Sequence, residues 1–237
     1  IEKLKQEASG TVNTARKTDL LNRIAWLHAG SDSAKTFFYA DSALRLAEKT
    51  NYQYGKGKAL LAKGTLLNNR FKPVMAREYF ETAYHIFESL KDDLELANVL
   101  TQRGRSYALS DKNDLAITDY MKAEKIFIQK KHNDGLITVY NNLGVVHAAI
   151  GNREKGIEYY IKAYPLIEAE KKLNDLPLVL NNIGKLFMDT RNNKEARNYL
   201  YRCIEASKAV NDHVTLGKAQ VNLSNVLVHE QDIDAAV

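Results

Sequence analysis

The stretch Tyr140-Asn-Asn-Leu-Gly-Val-Val-His147 returns forty residues later as Leu180-Asn-Asn-Ile-Gly-Lys-Leu-Phe187. In each, one glycine stands inside an apolar run at helical spacing, as Tyr140, Leu143 and Val146 do around Gly144. That period marks one face of an α-helix; a strand would alternate at every second residue. The interval extends outward in both directions. Gly64, Gly104, Gly144 and Gly184 form a column at steps of forty, continued by Ser224 and preceded by Ile24. A second column holds Ala76, Ala116, Gly156, Ala196 and Ala236, and a third Ala43, Ala83, Ala123, Ala163 and Cys203. A fourth holds Phe80, Tyr120, Tyr160 and Leu200. Columns in phase over this length define an internal repeat.

Each period reads as two helices. The second carries Ala116, Tyr120, Ala123 and Phe127, a stripe at spacings of four, three and four. Polar breaks separate them: Arg70–Pro73, Ser110–Asn113, Gly151–Arg153, Arg191–Asn193 and Glu230–Asp232 within a period. Asp92-Asp93, His132–Gly135, Asn174-Asp175 and Asn211-Asp212 lie between periods. The breaks slip by a residue or two while the columns hold, as expected of loops beside packed faces. Small residues are needed where helices cross closely, and the aromatic column fills the space beside them. Cys203 then reads as a small core residue standing in for alanine. One helix pair cannot bury its apolar face alone, so neighbours must stack. The expected fold class is all-α: one array over 1–237, with an N-terminal helix or cap over about 1–18. Repeats are expected near 19–56, 57–96, 97–136, 137–176 and 177–216, with 217–237 incomplete. Pro177 opens a first helix, where proline is tolerated. Pro165 falls inside a second helix and should bend it, either to suit the stacking or to alter the curvature of a groove.

Composition excludes several function classes. In 237 residues, 45% are hydrophobic and 27% charged, which rules out disorder and a collagenous chain. Three prolines and twelve glycines are too few for an all-β chain. One cysteine excludes an internal disulfide framework and a cysteine-rich zinc site. The net charge of +5 is scattered in pairs at helix ends, such as Lys130-Lys131 and Lys171-Lys172, where the helix dipole favours cations. No nucleic-acid partner is expected. The six histidines show no metal-binding spacing, and no glycine-rich phosphate loop or nucleophile elbow occurs. Neither a cofactor, a metal nor a catalytic residue is expected, and the chain reads as a non-enzyme. No apolar run reaches the ~20 residues of a membrane span, so this stretch itself is expected to make no membrane contact. Ile1 is followed at once by Glu2, Lys3 and Lys5, so no secretory leader is read here; the start lacks a Met and the last residues, Asp232–Val237, read as the beginning of a helix, so the chain is expected to be a fragment of a longer protein.

The Gly64/104/144/184 column, the Leu67/Tyr107/His147/Phe187 column, and the Ala76/116/196, Phe80/Tyr120/Tyr160 and Ala83/123/163 columns resemble the tetratricopeptide repeat family. The usual period there is about 34. The forty here, the missing closing proline and the Asn141–Gly144 and Asn181–Gly184 signatures are similar to its long-helix branch. The resemblance implies a right-handed α-α superhelix of stacked antiparallel pairs. The first fifty residues, with Asp19–Trp26 and Tyr39–Glu48, resemble the N-terminal sensor region of Bacteroidetes-type histidine kinases, nucleotide cyclases and LuxR-type regulators. That context implies an extracytoplasmic location, with a cytoplasmic peptide-sensing regulator as the alternative.

In such arrays the first helices line the concave face. The exposed columns read from the sequence give the candidate site: Asn98 and Lys218; Thr101, Asn141 and Asn181; Gln102, Asn142, Asn182 and Asn222; Arg105, Lys185 and Asn225. An asparagine amide both donates and accepts, so a ladder of them can pair with the backbone of an extended peptide. Asparagine is a poor helix former, so its recurrence in two adjacent columns calls for an explanation. Two remain open: contact with a protein or peptide ligand, or bonding between repeats in a scaffold that self-associates, for instance as a homodimer. The lysine, asparagine and arginine set that grips a peptide's terminal carboxylate in some family members is complete in no triplet of repeats.

Overall fold

The computed structural model describes residues 1–29 and 31–236, without the side chains of 229–236, and the described residues form helices and turns with no strand. The helices are α1 (Glu2–Gly10), α2 (Thr14–His28), α3 (Ser33–Lys49), α4 (Gln53–Asn69), α5 (Pro73–Leu90) and α6 (Asp93–Ala108). They continue with α7 (Asn113–Gln129), α8 (Asn133–Ala149), α9 (Arg153–Ala169), α10 (Leu176–Asp189), α11 (Asn193–Ala209) and α12 (His213–Ala236). The fold is all-α, built of antiparallel helix pairs in the order the repeat prescribes. The helices start some four residues ahead of the repeat bounds read from the sequence, at 53, 93, 133 and 213.

The chain divides into two compact units, Ile1–Ile126 and Phe127–Val237. In the first, α1 packs on α2, then α2 on α3, α3 on α4, α4 on α5 and α5 on α6, while α2, α4 and α6 also touch in series. In the second, α8 packs on α9, α9 on α10, α10 on α11 and α11 on α12, and α10 touches α12.

The turns are more regular than the polar letters suggest. Asn51, Phe71, Lys91, Asp111, Lys131, Gly151, Lys171, Arg191 and Asn211 all have φ between 51° and 83°, one every twenty residues. The breaks do not slip, contrary to the reading above. Each is a Schellman motif, in which the residue after the left-handed one sends its N–H back to the carbonyl five residues earlier. The nine bonds, from Tyr52 to Ala47 through Asp212 to Ser207, measure 2.8–3.0 Å. The same residue then often caps the next helix: Asp92, His132, Asn152, Asn192 and Asp212 accept the N–H three residues on. A left-handed φ is a property of the backbone, and eight of the nine residues that adopt it carry a Cβ. Lysine, phenylalanine and arginine therefore hide it from a search for glycine or asparagine.

This geometry gives a paired prediction. Lys91 has φ 55° and lies exposed, so Lys91→Gly should stabilise the protein by about 0.5–1 kcal/mol. Gly151 has φ 83° with no atom within 4 Å of an added Cβ, so Gly151→Ala should destabilise by about 1 kcal/mol through the backbone alone. Urea midpoints read both; shifts of the same sign would refute the assignment.

The expected break at Glu230–Asp232 is absent, since α12 runs through it to Ala236. No glycine or proline interrupts that stretch, so the helix need not stop there. The place of Ala236 in its small column lies outside the described side chains. Pro177 opens α10 as read, and α9 continues past Pro165.

The cores follow the columns. In the first unit Leu60, Ala76, Phe80, Ala83, Phe87 and Val99 cluster, and Ala8, Leu20 and Ile24 form a second group near α1. In the second unit the cluster is Leu180, Ala196, Leu200, Cys203, Ile204, Ala219, Leu223 and Val226. A Cβ added at Gly64 would sit 2.5 Å from the Phe80 ring, one at Gly104 2.8 Å from Tyr120, one at Gly144 2.7 Å from Tyr160, and one at Gly184 2.8 Å from Leu200. Each glycine is thus the socket for the large residue sixteen positions on. In the first period the sizes are exchanged: Ile24 and Ala40 hold the same two positions, both fully buried. The Cys203 thiol is buried too, 3.2 Å from the Pro177 carbonyl it donates to, and burial raises its pKa. That environment suits a packing residue and not a nucleophile.

Candidate peptide-binding face

A helix residue seven positions on returns to nearly the same face. On α10, Leu178, Asn182 and Lys185 therefore share one side, and on α12 Lys218, Asn222 and Asn225 share the matching one. On α8 the matching residues are Thr138, Asn142 and Val145. In the second unit all nine are exposed or half-buried, and the middle position is asparagine on every helix. Leu178 and Val145 leave 43% and 49% of their surface to solvent, unusual for large aliphatic side chains in an ordered helix. Exposed Asp189 stands one turn beyond Lys185 on α10, and the pKa of Asp212 is lowered first by its hydrogen bonds from Thr215 and also by Lys218.

The neighbouring column behaves otherwise. Asn181 is 6% exposed and its side-chain oxygen accepts from Asn222 Nδ2 at 3.1 Å, tying α10 to α12. Asn141 is half-buried, and its Oδ1 is buried without a protein partner. The equivalent Val221 on α12 is 62% exposed, since no further described helix covers that side of α12. This column, read from the sequence as open, is one where helices stack. Its burial is decided by the helix next door, which the sequence of one repeat does not contain. In the middle row, Asn182 Nδ2 also donates to the Tyr160 hydroxyl at 3.3 Å. That hydroxyl is held protonated, chiefly by burial.

In the first unit the corresponding groups are engaged by the protein itself. Lys58 Nζ lies 2.6 Å from Glu95, which also accepts from Tyr54 at 3.3 Å and from Asn98 Nδ2 at 3.2 Å. Arg105 Nη1 donates to Asn69 at 2.8 Å. Asn68 reaches the Gln102 carbonyl at 2.9 Å and accepts from the Ser106 hydroxyl. The Gln102 side-chain oxygen is buried without a protein partner. Thr101 is 4% exposed and spends its hydroxyl on the Ala97 carbonyl. Asn98, Thr101 and Arg105 are therefore tied into the packing of α4 and α6. Sequence reasoning missed these ties because Lys58 and Glu95 stand 37 residues apart, and no local pattern links them.

His147 is half-buried, stacked on Tyr159 at 5.4 Å between ring centres. Burial, aided by Lys155, lowers its pKa. Among the described residues no group of three histidine, cysteine or acidic side chains could hold a metal ion, and no helix is long and apolar enough to cross a membrane.

Comparison with known proteins agrees with this architecture. Models described as tetratricopeptide repeat match residues 137–167 and 178–213. Those two segments are thus similar to tetratricopeptide repeats. A search of curated protein sequences returns no match. Among solved structures, aspartyl phosphate phosphatase F from Bacillus subtilis superposes with a TM-score of 0.77 at 14% identity, over 94% of this chain and 60% of that one. A STAND signal transduction ATPase with a tetratricopeptide repeat sensor, from Pyrococcus horikoshii, gives 0.77 at 17% identity, over 95% and 35%. The apo quorum sensor NprR from B. thuringiensis gives 0.73 at 14%, over 99% and 66%. The chain spans less than two thirds of each, and at these identities the likeness is one of fold.

Proposed function

We propose that this chain is a non-catalytic recognition domain that receives an extended peptide or protein segment on the face formed by α8, α10 and α12, as the interaction region of a larger signalling protein. The row Asn142, Asn182 and Asn222 carries this reading. Three amides stand in register on successive first helices, bordered by solvent-facing aliphatic residues. Asn182 gives one N–H to Tyr160 and Asn222 one to Asn181, and the N–H and oxygen that each keeps can pair with a peptide main chain whatever its side chains, while Leu178 and Val145 offer apolar contact. Names among the structural neighbours support a regulatory setting: a Rap protein complexed with competence and sporulation factor, the quorum sensor NprR, and a STAND protein with a repeat sensor. The Bacteroidetes-type sensor setting, with the chain outside the cytoplasm, belongs to the same proposal.

Panning a randomised heptapeptide display library on the whole chain tests it. Selected peptides, labelled with fluorescein, should lose at least about tenfold in affinity for Asn142→Ala/Asn222→Ala, as expected when two or more hydrogen bonds of about 1 kcal/mol each are removed. Undiminished anisotropy titrations with a folded double variant would reject the face, and a library that yields no binder would reject peptide recognition.

A further inference from the structure

We infer that the first unit carries a second docking surface, on which an amphipathic α-helix of a partner protein lies along the end of α2 across Trp26 and Arg23. The inference stands apart from the peptide face of the second unit. Trp26, the one tryptophan of the chain, leaves 71% of its surface exposed. At steps of forty its column continues as Leu66, Ser106, Val146, Leu186 and Val226, and none of these is more than 6% exposed. Leu186 shows what buries this column. A Cβ added at Gly156 on α9 would lie 3.0 Å from Leu186 Cδ1 on α10, so the contact is with the second helix of the preceding repeat. The residue thirty positions before each buried member is itself small and buried: Thr36, Ala76, Ala116, Gly156 and Ala196. Trp26 has no such helix against it. α1 places Leu4 and Ala8 against Leu20 and Ile24 and leaves the end of α2 open.

The charges point the same way. Lys63 meets Asp41 at 3.0 Å and Arg103 meets Glu81 at 2.9 Å, each cation pairing with a carboxylate 22 residues earlier on the preceding second helix. Arg23 holds the same column, is exposed, and has no ion pair among the described residues. The carboxylates of α1 and α2 are engaged elsewhere: Glu2 with Lys5 at 2.7 Å, Glu7 with Arg16, and Asp19 with the Tyr52 hydroxyl at 3.1 Å. Together the two columns describe the helix that fits. It carries a small residue against Trp26 and, five residues on, a carboxylate for Arg23, as Thr36 and Asp41 do on α3 and Ala76 and Glu81 on α5. Such positions lie about 7.5 Å apart along a helix axis. Ile1, Leu27 and Phe38 are exposed as well, where the start of α1, the end of α2 and the start of α3 come together. With Trp26 they expose roughly 500 Å², which one helix covers and which falls short of the ~800 Å² per partner of a standard interface between folded proteins. Tryptophan in such a patch is among the side chains that most often dominate binding.

Panning a display library of helix-forming sixteen-residue peptides, made without tryptophan, on the whole chain tests this. Selected peptides should carry Ala, Gly or Thr followed five residues later by Asp or Glu, and their binding should move the Trp26 emission to shorter wavelength. Trp26→Ala, at an exposed position where circular dichroism should stay unaltered, should weaken fluorescein-labelled binders at least about tenfold. Arg23→Glu should weaken them several-fold and, on reselection, replace the acid by Lys or Arg. Asn142→Ala/Asn222→Ala should bind them within twofold of wild type, which separates this surface from the peptide face. Binders that leave the Trp26 emission unmoved, an affinity indifferent to Trp26→Ala, or a library without binders would overturn the inference and leave the peptide face standing. A blue shift together with a dimer mass in sedimentation, when the chain alone is concentrated, would assign the surface to a second copy and overturn it as well.

Discussion

Phe80→Ala is expected to destabilise the first unit by about 3–5 kcal/mol, and Gly64→Ile by about 2–3 kcal/mol. Together they should cost far less than their sum. Phe80 is fully buried, and its ring lies where a Gly64 side chain would go, 2.5 Å from the position of an added Cβ. Removing the ring leaves a cavity, and adding a side chain at Gly64 drives it into the ring. Doing both recreates the arrangement the protein already uses in its first period, where Ile24 and Ala40 hold these positions. A double-mutant cycle in urea should therefore give a coupling of about 2–3 kcal/mol in favour of the pair. Additive losses would show that the two columns do not share one space.

The second large effect concerns the Arg103–Asp119 pair between α6 and α7. Asp119 is 3% exposed and receives Nε and Nη2 of Arg103 at 2.7 and 2.8 Å. Glu81 takes Nη1 at 2.9 Å, and the Tyr84 ring lies 4.9 Å beneath the guanidinium. Burial works against the charge, yet Asp119 and Glu81 outweigh it and hold Arg103 protonated. Asp119→Ala would strand that charge in a half-dry setting, and a loss of about 3–5 kcal/mol is expected. Replacing both partners by Met and Leu removes charge and counter-charge together and should return stability to within about 1–2 kcal/mol of wild type. Guanidinium midpoints at unchanged m-value measure each step. A mild Asp119→Ala, or a double variant as damaged as the single, would contradict a buried pair whose worth lies in its completeness.

The residues differ in how far their role could be read in advance. The socket column Gly64, Gly104, Gly144 and Gly184 was legible, because side-chain size is written in the letters and close helix crossing admits only small ones. The left-handed turns were legible only as polar breaks of uncertain place. The twenty-residue cadence is a backbone property, and Phe71, Lys91 and Arg191 adopt it as Gly151 does. At the candidate face, the row Asn142, Asn182 and Asn222 could be placed by period alone. The adjoining Thr101 and Asn181 could not, because their burial depends on a neighbouring helix from another repeat.

Repetition with a fixed step is a local and one-dimensional signal, so the chain alone determined the helix pairs and their forty-residue period. Which polar groups on the first helices are spoken for was settled only by folding. Lys58 meets Glu95, Arg105 meets Asn69, and Asn181 meets Asn222 across distances in sequence that carry no pattern. Charge and hydrogen-bond capacity belong to a residue, but their satisfaction belongs to whatever the packed helices bring within about 3 Å.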